Sequence, residues 1–293
     1  MAGQLKEVRN RIKSVQNTQQ ITKAMKMVSA AKLRKAQDGI LQMRPYARKL
    51  QEVLSNIVGS VEGELGLHLA AERPAEKVLL VVITSDRGLC GAYNANIIKL
   101  AKQVIAEQYA EQARKGNVHI WAIGKKGYEH FAKNRFKVDA QFRDIFLDLS
   151  FENVQAAAQA AVKAFESKQF DRVELVYSEF RNAATQRFVT ERFLPIPKVE
   201  AVEGNKKSDF IFEPSQEQLV AELMPKILNT QLYKAVLDAN ASEHGARMTA
   251  MDKATENANE LLKSLKISYN RARQAAITTE LTEIVSGAAA LKG

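Results

Sequence analysis

The residues best placed to do chemistry sit in two glycine-bearing turns. Thr84-Ser85-Asp86-Arg87-Gly88-Leu89-Cys90-Gly91 follows one β-branched apolar run, and Gly124-Lys125-Lys126-Gly127 follows another. In a doubly wound fold such turns meet the phosphates of a nucleotide, because the free N–H groups of the next helix point at the ligand. The first turn lacks the spacing of a dinucleotide fingerprint, and neither turn has the Gly-Lys-Ser/Thr of a P-loop. Cys90 is the only cysteine, and a thiolate nucleophile needs a base or cation that its neighbours in sequence do not identify. His68, His119, His130 and His244 stand apart, without metal-ligand spacing. Both turns are therefore read as structural. The chain is expected to have no catalytic residue, no cofactor site and no metal site.

The elements around these turns alternate between strand and helix. KVLLVVIT at 77–84, NVHIWAIG at 117–124 and RVELVYSEF at 172–180 are runs suited to buried parallel strands. Helical stretches are expected at about 94–114, 125–134 and 152–168, and an alternating edge strand at 187–194 before Pro195 and Pro197. Residues 200–209 (EAVEGNKKSD) read as a polar loop.

On either side lie two helices far longer than usual. From Ser215 to Gly293 apolar residues recur at helical spacing, including Leu219, Leu223, Ile227, Leu228, Leu232, Val236, Met248, Met251, Leu261, Leu265, Leu281, Ile284 and Val285. Ser215-Gln216-Glu217-Gln218 has the form of a capping box. About 75 residues at 1.5 Å each span roughly 110 Å, too long for an ordinary helix of a globule. Residues 3–58 form the second helix, with Leu5, Val8, Ile12 and Val15 opening a heptad-like seam. Ile21, Met25, Val28, Leu33, Ile40, Leu41, Leu50, Val53, Leu54 and Ile57 are expected to continue it, and Pro45 to kink the helix without ending it.

An antiparallel coiled coil is the simplest way to bury both seams. The fold class is thus α/β plus a long antiparallel coiled coil, a shaft with an inserted Rossmann-like α/β domain at its foot. The expected domains are 1–60, 75–200 and 210–293. Counting equal lengths places Ala2 opposite about residue 270, which leaves roughly the last twenty residues projecting alone.

Composition bounds the rest. Of 293 residues, 46% are hydrophobic and 26% charged, the balance of a folded soluble protein. No run of eighteen apolar residues exists to span a membrane. The start, MAGQLKEVRN, lacks the apolar core of a secretory signal, and Glu7 argues against a transit peptide. A single cysteine permits no disulfide within the chain and suits a reducing cytosol. The net charge of +10 is unevenly placed: residues 1–50 hold twelve Lys/Arg against Glu7 and Asp38, and the remaining 31 basic and 31 acidic residues cancel. Such a stripe suits an acidic partner. A basic coiled-coil nucleic-acid-binding or scaffold protein is the alternative, although no base-reading arrangement accompanies the charge.

Four stretches carry a family likeness. They are SVQNTQQITKAMKMVSAAKL at 14–33, TSDRGLCGAYN at 84–94, SEHGARMTAMDKATENA at 242–258 and ITTELTEIVSGAAA at 277–290. In kind and order they resemble motifs of the gamma subunit of bacterial F-type ATP synthases, and the resemblance covers essentially the whole chain. It implies a rotor that turns inside a ring of alpha and beta subunits and binds the epsilon subunit and the c-subunit ring, coupling proton flow to ATP synthesis. It implies no nucleic acid partner and membrane association only through the complex, on the cytoplasmic face of a bacterial inner or plasma membrane.

Carried over by position, the resemblance assigns contacts with the beta subunits to Met25, Lys26, Arg247, Gln274, Thr278 and Glu280. It assigns contacts with the c ring and epsilon to Phe210 and Glu213. Met25 equally suits a seam position, and Arg247 a local charge cap. Photosynthetic members carry an inserted cysteine pair that switches activity; the lone Cys90 leaves no such thiol switch here.

Overall fold

The computed structural model describes residues 2–60, 69, 71–196 and 216–290, with side chains described outside 2–4, 48, 51–60 and 216–221. Helix α1 runs Ala2–Ser60 and passes through Pro45. Helix α6 runs Gln216–Ala290, 75 residues, and contains Pro225. Ser215, with the expected capping box, and Phe210 and Glu213 lie outside the described residues. Between the two helices come strands β1 (Val78–Ile83), β2 (Val118–Ile123), β3 (Lys137–Asp139), β4 (Arg172–Phe180) and β5 (Gln186–Leu194). Helices α2 (Tyr93–Gln108), α3 (Ala110–Arg114), α4 (Lys125–Lys133) and α5 (Phe151–Glu166) connect them, with a 3-10 turn at Ile145–Leu147. Residue contacts divide the chain into two compact units, Met1–Ser29 with Met248–Gly293 and Ala30–Arg247.

In the larger unit the sheet order is β3-β2-β1-β4-β5, with β1 to β4 parallel and β5 antiparallel at the edge. Val78 of β1 faces Val118 on one side and Arg172 on the other. All six β1 residues are buried, because helices cover both faces of the sheet. Leu79, Val81 and Ile83 pack with α5 and with Ile227, Leu232, Val236 and Ala239 of α6. Val78, Leu80 and Val82 pack with Ile97, Ala101 and Val104 of α2 and Phe131 of α4. Strand β3 was not legible in the sequence: it is three residues long, and Val138 is its one apolar side chain.

In the smaller unit the two terminal helices form an antiparallel pair. Arg9 meets Tyr269, Gln19 meets Asn259, Thr22 meets Thr255 and Lys26 meets Asp252. As one number rises the other falls in step, so the register holds without a slip. It places Ala2 near residue 276 rather than 270.

The inward positions of this unit keep heptad spacing from Leu5, Val8, Ile12 and Val15 to Gln19, Thr22 and Ser29. Thr22 and Ser29 are buried, whereas Ile21 and Val28, expected on the apolar face, are 59% and 57% exposed. Each sits one residue off the heptad, which points it away from the partner helix. Leu41, in the larger unit, is likewise 63% exposed, and Ile40 takes the buried place. On α6 the seam uses Met251, Ala258, Leu262 and Leu265, with Leu261 left outside.

Gly124 opens α4 at φ 100°, a conformation that strains any residue with a side chain. A Cβ there would also collide with the Thr84 carbonyl, which is backbone and cannot swing away. Gly124→Ala should therefore cost about 3 kcal/mol, strain and overpacking together. Calorimetry of the full chain should show a transition lowered by roughly 6–12 °C.

Candidate functional site

The chain leaves β1 toward β2 on one side and returns to β4 on the other, so the C-terminal ends of β1 and β4 form the switch-point crevice where ligands of such sheets bind. Here the protein fills that crevice with its own α6. Tyr93 Oη donates to the Ala239 carbonyl at 2.9 Å, and Ser242 Oγ to the Ser178 carbonyl at 3.2 Å. Gly245 lies so close to the chain after β4 that an added Cβ would stand 3.1 Å from the Ala183 carbonyl oxygen. Small residues make this approach possible: Ala235, Ala239, Ala241, Ser242, Gly245 and Ala246 occupy one short stretch of the helix.

The amides of the lysine-bearing turn are already engaged by the first turn. The Lys125 amide donates to Asp86 Oδ1 at 3.1 Å, and the Gly127 amide to Thr84 Oγ1 at 2.8 Å. The N-terminus of α4 is thus capped by the other turn, and the lysine-bearing turn exists to receive Thr84. The Ser85 amide donates to Asn94 Oδ1, and Asn94 Nδ2 in turn donates to Ser85 Oγ at 2.7 Å and Cys90 Sγ at 3.3 Å. Cys90 is 2% exposed, and burial pushes its thiol above the ordinary value, against the needs of a nucleophile. Among the described residues no group of three His, Cys, Asp or Glu could hold a metal ion, and no helix is long and apolar enough to cross a membrane.

Arg247 closes the first turn onto α6. It is 8% exposed and pairs through Nη1 with Glu243 at 2.6 Å. Its Nη2 donates to the carbonyls of Arg87 at 3.0 Å and Gly88 at 3.2 Å. Burial pushes the Glu243 carboxyl up, while Arg247 pulls it back toward ionisation. Burial, with Arg247 and Lys32 nearby, lowers His244 to about 4 and keeps it neutral.

The remaining expected site residues among those described lie in the smaller unit. Met25 and Lys26 are half-buried, and Lys26 pairs with Asp252, both side chains more than two-fifths exposed. Gln274, Thr278 and Glu280 are exposed. Thr278 Oγ1 donates to the Gln274 carbonyl at 2.9 Å, so those two share a face. Glu280 sits roughly 200° round the helix from Thr278. Residues 281–290 are exposed on every side.

Comparison with known proteins gives this arrangement a family. A family model described as "ATP synthase" matches residues 4–291. The ATP synthase gamma chain of Cytophaga hutchinsonii is 54% identical over 291 residues, 98% of either chain. That of Flavobacterium johnsoniae is 54% identical over 289 residues, and that of Chlorobium phaeobacteroides 49% over 292, each covering 99% of both chains. The chain belongs to the ATP synthase gamma chain family. A chain of the Euglena gracilis mitochondrial ATP synthase, solved with OSCP, F1 and c-ring, shares the fold at a TM-score of 0.67 and 22% identity, over 99% of this chain and 95% of that one.

Reading this gamma chain by sequence missed a buried carboxylate on α6. The Asp238 side chain is 1% exposed and lies 3.6 Å from Arg44 of α1. Neither of its oxygens has a hydrogen bond of ordinary geometry, although the nearby Phe180 amide helps the ionised form slightly. Burial raises its pKa to about 6, Glu179 adds to the rise, and Lys234 and Arg44 oppose it. The available signal was a lone acid among small residues, in AVLDANAS at 235–242.

A raised carboxylate costs stability as pH rises from 3.8 through 6. Asp238→Asn should equal the native chain near pH 3.5 and exceed it at pH 7 by up to ~2–3 kcal/mol. His244 works the other way. Its stabilising effect is full above 6.5 and is lost as pH falls to about 4, so His244→Gln should flatten the acid limb. Urea unfolding of the full chain at half-unit steps from pH 3.5 to 8 checks both.

Proposed function

We propose that this gamma chain is the central rotor shaft of an F-type ATP synthase, turning inside a ring of alternating alpha and beta subunits and bound to epsilon and the c-subunit ring. Proton flow turns the shaft, and each shaft angle favours one set of ring conformations over another, so free energy passes as torque without a bond made on this chain. The complex sits on the cytoplasmic face of a bacterial inner or plasma membrane, with this chain peripheral to it. The observation that carries the reading is the end of α6. Past the last paired positions it remains a helix for more than ten residues, with Leu281, Ile284 and Val285 each more than half exposed. An unpaired apolar helix of that length is stable when something encloses it.

The contacts proposed with the beta subunits are Met25, Lys26, Arg247, Gln274, Thr278 and Glu280, and those with the c ring and epsilon are Phe210 and Glu213. The functional segments are 1–60, 75–200 and 210–293. The basic excess of α1 faces outward: Lys23, Lys32, Arg34 and Lys35 are exposed. Opposite charges steer an encounter and tolerate sliding better than keyed apolar packing does.

Reconstitution of the full chain with alpha, beta and epsilon subunits and the membrane sector with its c ring, in proton-tight vesicles, tests this. A chain stopped after Gly287 loses little apolar area, ~2–3 kcal/mol at full burial, and should assemble and support synthesis with modest loss. A chain stopped before Ile277 should dissociate at clearly lower temperature and lose most torque-dependent synthesis. Equal damage from the short cut would replace the sleeve with a specific terminal contact, and no assembly of the intact chain would overturn the rotor reading.

Charge makes a separate prediction. Replacing Lys23, Lys26, Lys32 and Lys35 together by Gln should weaken assembly and reduce its salt sensitivity, since the reach of exposed charges falls below ~10 Å above 0.1 M salt. Dissociation measured from 50 to 500 mM salt checks it; an unchanged slope would make the stripe a solvated face only.

A further inference from the structure

The turn after β1 combines strain, exposure and a hold from a distant helix. Leu89 has φ 61° and is 64% exposed, a left-handed conformation that costs a branched side chain of order 1 kcal/mol or more. Such a residue persists where its surroundings over-determine it. The two carbonyls just before it, of Arg87 and Gly88, both accept from Arg247 Nη2, and Arg247 Nε adds a longer bond to Gly88 at 3.4 Å. The guanidinium is itself fixed from behind by the buried Glu243 carboxylate. Cys90, directly after the strained residue, is sealed beneath the turn.

We infer that Arg247 is a positioning residue: its planar fork clamps the 85–91 turn in its strained, outward-presenting form and ties any load on Leu89 to α6. The inference rests on the rotor reading and refines it, because Arg247 then acts on the stator through this turn instead of by a free side-chain contact. The chemistry needs arginine. One face of the fork pairs with a carboxylate while another spans two carbonyls, and a lysine ammonium is a single point that cannot hold both in place. Burial from water strengthens these charge-assisted bonds. Glu243 supplies the countercharge without which a buried guanidinium would not stay.

The single thiol reports on the clamp. In the full chain, Cys90 labelling by 5,5′-dithiobis(2-nitrobenzoate) requires the turn to lift, as does amide exchange over 85–91. Arg247→Met should raise the labelling rate at least tenfold and speed exchange over 85–91, leaving exchange in β1 and β2 unchanged. Arg247→Lys keeps most of the stem and the charge but loses the fork, and should still label at least threefold faster than the native chain. Native labelling and exchange in Arg247→Lys would overturn the clamp, since packing by the stem would then account for the site. Should Arg247→Met fail to fold, Glu243→Gln replaces it, with an expected rise of severalfold; an unchanged rate there also overturns the clamp. In the reconstituted complex, the Lys variant should assemble and hydrolyse ATP but pump fewer protons per ATP. If the intact chain fails to assemble while the labelling results hold, the rotor reading fails and the clamp stands.

Discussion

The larger unit depends on the close approach of α6 to the carboxyl ends of β1 and β4. A helix can replace a ligand in a switch-point crevice only if its backbone comes near enough for main-chain and short side-chain contacts. Small residues at Ala239, Ser242, Gly245 and Ala246 supply that. Once they are in place, Tyr93 of α2 donates to a carbonyl of α6, Ser242 of α6 donates to a carbonyl of β4, and Arg247 draws in the turn after β1. The same turn, through Asp86 and Thr84, then caps α4. A fold with the topology of a nucleotide-binding sheet has thus turned its binding crevice into a joint.

The smaller unit solves a different problem. A pair of long helices with only apolar seams can slip by whole heptads at little cost. Gln19 with Asn259, Thr22 with Thr255 and Lys26 with Asp252 each lose a partner on any slip. Buried Thr22 adds little net stability, about 1 kcal/mol for such a hydrogen bond, but leaving it unmade in another register costs more. These polar pairs fix alignment more than they add strength. For a shaft that must transmit angle, alignment is the more useful property.

These polar seams also explain what the sequence hid. Long helical periodicity and β-branched runs made both terminal helices and four of the five strands legible, α1 and those strands with ends within a residue or two. The face of α1 was misassigned wherever hydrophobicity and register disagreed. Ile21 and Val28 look like seam residues, yet the heptad started by Leu5 and Val8 reaches Thr22 and Ser29 instead. The stretch around Arg247 could be matched to a family but not seen as a clamp, because its partners are main-chain carbonyls 160 residues away. Glu243 gave no warning, and Asp238 gave only its place among small residues, since burial of a charge is set by tertiary packing. Gln274 and Glu280 lie within six residues of each other, and only the helical turn separates their faces.

The exposed apolar residues complete the physical case. Ile21, Met27 and Val28 on α1 and Ile277, Leu281, Ile284 and Val285 on α6 leave the smaller unit with more apolar surface than a solitary helix pair keeps in water. On α1 the exposed Lys23 and the half-exposed Lys26 lie among these residues, which opposes the deep interdigitation of an obligate interface. Apolar contact falls off within one atomic layer, whereas charge acts over a Debye length of about 10 Å. A surface mixing both can be held at every angle of a turn, the charges bridging gaps where the apolar side chains part. A surface packed to core density would instead bind tightly at one angle and stall there. The bland seam polarity and the exposed apolar ridges are therefore two sides of one requirement: rigid within the helix pair, permissive outside it.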